Sequence, residues 1–109
     1  MPKHQFGIMQ KAPCKGERYD AFEPDQYGCI NVDDRYILPL CKKLNATKCF
    51  WHTLDRPEYG LAYWGVTLIP PESLDPIIQL TWDSKKLSAL TEMLVRAKRE
   101  NKFVIHFGI

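Results

Sequence analysis

KFVIHFGI, residues 102–109, is the stretch that decides the fold. Its residues are mostly apolar, either β-branched or aromatic, and their side chains alternate with a period of two. This pattern favours a paired and buried strand. Traced backwards from this strand, the elements follow in the order strand, helical region, strand, strand, helix and strand. We therefore interpret the chain from its last strand outward.

The segments before this strand supply the other elements of the predicted order. Their composition favours strands at residues 27–32, 48–54 and 61–69. Asp33 is a candidate N-cap for the first helix, which contains Pro39 and is therefore expected to be short or bent. The second helical region carries an apolar stripe at helical spacing, formed by Leu87, Leu90, Leu94 and Ala97. Asn101 is a suitable stop for that helix.

The order βαββαβ predicts an α+β fold, a ferredoxin-like sandwich. Its four-stranded antiparallel sheet has the strand order 4-1-3-2 with the helices on one face, so residues 102–109 lie at an edge beside residues 27–32. Residues 1–26 are expected to form an irregular N-terminal arm packed on a single α+β domain, residues 27–109. The resemblance is to a fold that serves many functions, and no family motif accompanies it.

Composition narrows the class of protein. The chain has 109 residues, enough for one domain, of which 45% are hydrophobic and 26% charged. A net charge of only +2 argues against nucleic-acid binding. No apolar run approaches the ~20 residues of a membrane span, and no signal-peptide pattern is present. We therefore expect a cytoplasmic protein without a membrane partner, whose four cysteines are reduced.

Cysteine and histidine spacing predicts neither a metal site nor a cofactor. The four cysteines, at positions 14, 29, 41 and 49, match no zinc-binding pattern. His52 and His106 lie on opposite edge strands of the predicted sheet, three inter-strand gaps of ~4.8 Å apart, too far to share one ion. The sequence also lacks a phosphate-binding loop and a nucleophile elbow.

Cys29 and His106 form the sharpest catalytic hypothesis. The predicted sheet places them on neighbouring strands, with both side chains on the face opposite the helices and Asn31 nearby. A nucleophile, a base and an orienting group are therefore conceivable. The competing interpretation is that both side chains only pack, because the middle of a sheet offers no obvious oxyanion hole.

Two charged loops are a further candidate site. Asp33-Asp34-Arg35 follows the first predicted strand, and residues 55–58 (DRPE) join the next two. The predicted sheet brings both loops to the same end, where paired carboxylates would bind a cation or serve hydrolysis. Helix capping and turn formation are the more common roles of such residues.

The predicted strand directions divide the side chains between two faces. The side expected to face the helices carries Ile30, Val32, Phe50, Leu54, Val66, Leu68, Phe103, Ile105 and Phe107. The opposite face is aromatic and needs a cover, which could be the N-terminal arm, a second subunit or a ligand.

We therefore expect a non-enzymatic domain that binds a protein or a small ligand and forms a homodimer through the aromatic face. The predicted binding residues are Tyr27, Trp51, Tyr63 and Thr67, since aromatic side chains dominate interfaces. A small enzyme that uses the Cys–His pair is the alternative. Single-stranded RNA binding by sheet aromatics is a further one, although the RNA-binding sequence pattern is missing.

Overall fold

The C-terminal strand lies in the middle of the sheet. In the computed structural model, which describes residues 2–109, β6 (Val104–Phe107) pairs with β1 (Lys3–Ile8) on one side and β5 (Val66–Ile69) on the other. The remaining strands are β2 (Ile30–Asp33), β3 (Lys48–Trp51) and β4 (Pro57–Tyr59). The sheet order is β2-β1-β6-β5-β3-β4, and every neighbouring pair is antiparallel.

This topology corrects the predicted four-stranded ferredoxin-like sandwich. The α+β class stands, but the sheet has six strands, and the order 4-1-3-2 is wrong because β6 is central and not at an edge. Strand β1 comes from the predicted N-terminal arm, residues 1–26, and inserts between β2 and β6. Its pairing with β6 joins residues about 100 positions apart, such as Phe6 and His106. Local sequence patterns carry no information on a partner so distant.

Three helices cover one side of the sheet, which we call the helix face. They are α1 (Asp34–Lys43), α2 (Leu74–Thr81) and α3 (Ser88–Arg99). The predicted N-cap is confirmed, because the Asp33 carboxylate accepts a hydrogen bond of 2.9 Å from the Arg35 N–H. Asn101, with a left-handed φ of 57°, follows α3 as predicted. No helix within residues 2–109 is both long and apolar enough to cross a membrane.

The helix face contains the larger of two apolar clusters. The predicted stripe of α3 is buried in it, together with side chains from β1, β2, β6 and α1. The main contributors from the sheet are Phe6, Ile8, Val32, Ile69 and Val104. Burial of these side chains is the principal source of stability for the fold.

The opposite side, which we call the covered face, is closed by the chain itself. Residues 9–29, the covering segment, lie against a second apolar cluster that includes Leu68, Ile105 and Phe107. Tyr27 and Phe22 contact the Phe107 ring, with ring centroids 6.0 and 5.5 Å from it. Of the three covers that the sequence left open, the structure therefore shows the N-terminal segment.

The predicted facing of the strands is right for β2 and inverted for the later strands. Ile30 and Val32 contact the helix-face cluster as expected. The side chains predicted to join them from β3, β5 and β6 lie on the covered face, namely Phe50, Leu54, Val66, Leu68, Phe103, Ile105 and Phe107. All four residues of β5 and of β6 are buried, so apolar character alone does not distinguish their two sides.

Candidate functional site

The predicted Cys29–His106 dyad is not formed. Strand β1 separates Cys29, next to β2, from β6, which carries His106. Cys29 packs against the covered-face cluster, whereas His106 contacts Phe6 on the helix face, and Asn31 is exposed on the edge strand β2. Burial raises the pKa of the Cys29 thiol to about 11, so the thiol is protonated at neutral pH and is a poor nucleophile.

The two charged loops do not approach each other. Asp33 ends β2 and Asp55 precedes β4, and these strands form opposite edges of the sheet, five gaps or roughly 24 Å apart. Asp55 accepts a hydrogen bond from the Gly16 N–H at 3.2 Å, and Arg56 pairs with Glu58 at 3.1 Å. These residues cap a helix and hold turns, the more common of their two predicted roles.

The four predicted binding residues are spread over the molecule. Tyr27 contacts Phe107 on the covered face, while Thr67 is fully buried on the helix face. The Trp51 indole donates a hydrogen bond of 3.0 Å to the Gly60 carbonyl. Tyr63 lies in the connection before β5. They form no common aromatic surface, and the central strands present no open platform on which RNA bases would stack.

Five polar side chains instead form a hydrogen-bonded row, the histidine network. From the interior outward they are Thr67, His106, His4, Asp34 and Tyr63. The contacts measure 3.2 Å from Thr67 Oγ1 to His106 Nδ1, 2.8 Å from His106 Nε2 to His4 Nδ1, and 2.8 Å from His4 Nε2 to Asp34 Oδ1. The Tyr63 hydroxyl donates to the same carboxylate oxygen at 2.6 Å.

One set of proton positions satisfies the whole network. The Ala62 N–H donates to Thr67 Oγ1 at 2.8 Å, which leaves the Thr67 hydroxyl to donate to His106. His106 then carries its proton on Nε2 and donates to His4, which carries its proton on Nε2 and donates to Asp34. In this arrangement every donor points toward the Asp34 carboxylate, and each imidazole carries a single proton.

The electrostatics agree with this arrangement. Burial, with a smaller contribution from His4, lowers the pKa of His106 to about 3. The hydrogen bonds from Tyr63 and His4 lower the pKa of Asp34, and the Asp34 carboxylate raises the pKa of Tyr63 to about 12. The lowered pKa of Asp34 keeps its carboxylate ionised at neutral pH, at the more exposed end of the network.

Both ends of the histidine network hold the connection between β4 and β5. This connection, residues 60–65 (GLAYWG), is called the Trp64 loop below. Its Ala62 amide bonds to Thr67 at the inner end, and its Tyr63 hydroxyl bonds to Asp34 at the outer end. The residues after β6 add two main-chain hydrogen bonds, from Gly108 to the Gly65 carbonyl at 2.7 Å and from Ile109 to the Tyr63 carbonyl at 3.0 Å.

Two close approaches keep the Trp64 loop in place. A Cβ atom on Gly108 would lie 2.2 Å from the Tyr63 carbonyl oxygen, and one on Gly65 would lie 2.6 Å from His52 Nε2. Real Cβ atoms essentially never come so close to another heavy atom, so only glycine fits at position 108, whereas a Cβ at position 65 would displace the His52 ring. The loop is therefore packed against both β6 and the end of β3.

The Trp64 loop presents an exposed aromatic ring beside a hollow. Trp64 is 80% exposed, and Phe22 of the covering segment is 64% exposed and lines the same hollow, whose volume is about 500 Å³. Ile109, 36% exposed, lines it as well. We call this area the Trp64 surface; its polar members are Lys3, Asp20 and His52. It is a concave surface bordered by three exposed apolar side chains.

His52 occupies a strained position in this surface. Its φ of 66° lies in the left-handed region, which is uncommon for residues other than glycine. The Val66 N–H donates to His52 Nε2 at 3.4 Å. His52 Nδ1 lies 2.7 Å from Asp20 Oδ1, but the geometry of this contact falls short of a hydrogen bond. The His52 carbonyl accepts a hydrogen bond of 2.7 Å from Tyr19 N–H, so this residue fastens the covering segment to the sheet.

The histidine network was not predicted, because His4 lies in residues 1–26, which were expected to form an irregular arm. His4 and His106 are 102 residues apart, and no spacing motif links them. The available signal was weak: two of only three histidines occur in apolar, strand-like segments. Asp34 was considered only as part of the charged loop Asp33-Asp34-Arg35, without a histidine partner.

The residues that the structure describes form no metal centre. Within residues 2–109, no group of three or more histidine, cysteine, aspartate or glutamate side chains is arranged to hold a metal ion. The four cysteines are free thiols, of which Cys14 is exposed and Cys49 is buried.

Comparison with known proteins adds no relative. No family model, no curated protein and no solved structure matches this chain. Any functional conclusion therefore depends on the geometry described above.

Proposed function

We propose that the protein is a non-enzymatic binding domain that self-associates through the Trp64 surface. The observation that carries this proposal is the grouping of Trp64, Phe22 and Ile109 around one hollow. Exposed apolar side chains that occur singly are ordinary, whereas a group of them beside a concave surface is typical of an interaction site. The aromatic face that the sequence suggested for this role is closed by the covering segment.

The shape of the Trp64 surface favours a second copy of the same chain as the partner. One surface carries both a protruding indole and a hollow of about 500 Å³, which is within the ~300–1,000 Å³ range of pockets that accept small organic groups. Two copies related by a two-fold axis would each place Trp64 in the hollow of the other. Such an interface uses the same patch twice, as most homodimers do.

The matched control for this proposal is Trp82, which is 66% exposed at the end of α2, away from the Trp64 loop. Sedimentation equilibrium of the wild type, Trp64→Ala and Trp82→Ala would compare two exposed tryptophans. We expect a dimer whose dissociation constant rises about 30-fold or more in Trp64→Ala, as for a hot-spot residue worth ~2 kcal/mol. Trp82→Ala should leave it unchanged.

Two results would reject the proposal. One is a wild type that remains monomeric at millimolar concentration. The other is a dimer whose dissociation constant is the same in Trp64→Ala as in the wild type. Because the Trp64 side chain is mostly exposed, its removal should not lower the melting temperature, and equal melting temperatures would show that a change in association is not a folding defect.

Small-ligand binding is a second candidate, favoured by two hollows beside the covering segment. Their volumes are about 600 and 630 Å³, and Met9, Gln10 and Ala12 line both. A ligand in either hollow would increase hydrogen-exchange protection of the Met9 amide, which donates to the Phe103 carbonyl at 2.9 Å. A small-molecule screen in which no compound raises both this protection and the melting temperature would count against this candidate.

We propose the cytoplasm as the compartment, since the four cysteines are free thiols and the buried Cys49 needs no partner. Alkylation of protein isolated from cells under denaturing, non-reducing conditions should modify all four thiols. A disulfide in that material would contradict the assignment.

A further inference from the structure

The histidine network connects proton binding to the position of Trp64. Its two ends bond to adjacent residues of the Trp64 loop, Ala62 at the inner end and Tyr63 at the outer end. Between these ends lie two imidazoles, His4 and His106, both fully buried and in direct contact. A change in the number of protons on the network therefore changes the hydrogen bonds that hold the Trp64 loop, which carries the proposed binding residue.

We propose that the histidine network is a proton-sensitive clamp on the Trp64 loop, which releases Trp64 in acid and thereby weakens self-association. The loop release stands on the geometry of the network alone. Its effect on association rests on the proposed function above.

The proton count of the network explains the release. In the neutral state each donor meets an acceptor, from the Ala62 N–H to the Asp34 carboxylate. A first added proton on His4 Nδ1 would donate to His106 Nε2 and would force His106 to carry its proton on Nδ1. That proton would point at Thr67 Oγ1, and the Thr67 hydroxyl hydrogen would lose its acceptor.

A second proton breaks the row. With both imidazoles protonated, N–H groups on His4 and His106 would face each other across 2.8 Å. Two buried like charges at that distance repel strongly, and burial already disfavours the charged form of His106. The two rings must then separate. Because they belong to the paired strands β1 and β6, movement of their side chains and of the attached loop disturbs less structure than separation of the strands would.

The surroundings of the two imidazoles offer no other group that would compensate a second positive charge. From α1 the network is faced by Asp34 and by the Cys41 thiol, whose pKa burial raises, and Asp33 lies next to Asp34. From the Trp64 loop it is faced by Tyr63, from β5 by Thr67 and from β1 by the Phe6 ring. The buried residues of α3 are apolar: Leu90, Met93, Leu94 and Ala97. Asp34 is therefore the single anion in hydrogen-bond contact with a buried imidazole, and its one negative charge balances one added proton.

The release is best measured residue by residue with NMR, at a concentration where light scattering finds only monomer. The reporters are the Trp64 indole signal and the hydrogen-exchange protection factor of the Ala62 amide. Gly60 is the internal control, because its amide bonds to the Thr47 carbonyl outside the network. The Trp82 indole is the control for general effects of pH on tryptophan signals.

We expect Ala62 to lose protection and the Trp64 indole signal to shift as the pH approaches about 3, the value to which burial lowers the pKa of His106 in the folded protein. Gly60, the Trp82 indole and the far-UV circular dichroism should remain native over the same range. A change at Ala62 and Trp64 that occurs only together with exchange of core amides such as that of Leu94 would overturn the clamp, because it would be ordinary acid unfolding.

Two variants make the assignment specific. Thr67→Val cuts the network at its inner end with little change of volume, and it should show the acid signature of Ala62 and Trp64 already at neutral pH. Thr91→Val is the matched control, because it removes a part-buried hydroxyl between α2 and α3, outside the network, and it should titrate like the wild type. A Thr67→Val protein whose Trp64 signal remains native at neutral pH would also overturn the clamp.

Association data then separate the two proposals. If Trp64→Ala leaves association unchanged at neutral pH, the proposed function fails, and the NMR experiment still decides the clamp. If the wild type dimerises through Trp64 with equal affinity at neutral and acid pH while the loop is released, the regulatory role fails and the proposed function stands. A dissociation constant that rises in parallel with the loss of Ala62 protection supports both.

Discussion

The two faces of the sheet are both dry, but different structures close them. Three helices cover the helix face, and five polar side chains of the histidine network run through it. The covered face is closed by residues 9–29, which include one short 3₁₀ turn, Pro24–Tyr27, and otherwise no regular structure. Few main-chain hydrogen bonds fasten this segment to the sheet, the clearest being Tyr19 to His52 and Met9 to Phe103.

This difference shows that equal burial does not mean equal resistance to change. Leu94 on the helix face and Leu68 on the covered face are both 0% exposed. Helices that pack against each other move only as units, whereas an irregular segment held by few hydrogen bonds can relax into a cavity. We therefore expect the covered face to be the more adaptable half of the molecule.

The largest effect should come from removing the strand that both faces share. A chain that lacks residues 104–109 loses the central strand, which pairs with β1 and β5 and carries His106. We expect no cooperative thermal transition by circular dichroism, because the sheet would be divided into two halves. A truncated chain that still melts cooperatively would show that the two halves fold without β6.

The next effect compares the two faces directly. Leu94→Ala should lower the free energy of unfolding by about 4 kcal/mol and Leu68→Ala by about 2 kcal/mol, within the range known for buried leucines. The reason for the difference is that the covering segment can collapse onto the smaller side chain. Urea unfolding of both variants would test this, and equal or reversed costs would contradict the comparison.

The histidine network should give the helix face a characteristic pH dependence. Because the pKa of His106 is lowered to about 3 in the folded protein, the unfolded protein binds more protons between that value and the ordinary histidine pKa of ~6.5. Stability contributed by neutral His106 is therefore complete above ~6.5 and is lost as the pH falls below it. Asp34, whose pKa is also lowered, adds a loss of the same sign at still lower pH.

The measurement is the free energy of unfolding as a function of pH. One extra proton bound on unfolding corresponds to a slope of about 1.4 kcal/mol per pH unit. His106→Gln should be less stable than the wild type at neutral pH and should have a flatter profile in acid. A His106→Gln profile as steep as that of the wild type would show that another group causes the pH dependence.

The smallest effect concerns the attachment of the covering segment. Asp20→Asn removes the charge that faces His52 and that pairs with Arg18 at 2.8 Å. Since these groups are exposed, the global stability should change little. Hydrogen exchange of the Tyr19 amide should nevertheless accelerate, while the Leu94 amide keeps its protection. Unchanged exchange at Tyr19 would mean that Asp20 does not help to fasten the segment.

The parts of the fold that the sequence predicted are those determined by neighbouring residues. The N-cap at Asp33, the buried stripe of α3 and the stop at Asn101 depend on contacts within a few positions. The antiparallel pairing of β3 with β5 was also predicted. The connection between them contains a short strand, β4, that was not predicted and that pairs with the other edge of β3. Local propensity and spacing are sufficient for such elements.

The parts that the sequence did not predict depend on distant partners. Residues 3–8 form a strand because β2 and β6 supply its hydrogen-bond partners, and the sequence of residues 3–8 does not identify those partners. The facing of β5 and β6 was inverted because both sides of each strand are buried. His106 was placed on the face opposite the helices because it alternates with Ile105 and Phe107, but it lies on the helix face, where His4 and Thr67 satisfy its ring nitrogens. The candidate site therefore became visible only when the two ends of the chain were brought together.

The central claim is that His4 and His106 are two neutral imidazoles in one directed hydrogen-bond row. Nitrogen-15 NMR of the imidazole groups at neutral pH tests it most directly, since the shifts distinguish protonated from unprotonated ring nitrogens. We predict that both residues carry a proton on Nε2 and none on Nδ1. The protonation of His106 should not change until the pH is well below ~6.5, the ordinary pKa of histidine. A His106 that carries its proton on Nδ1, or that titrates near the ordinary value, would contradict the account.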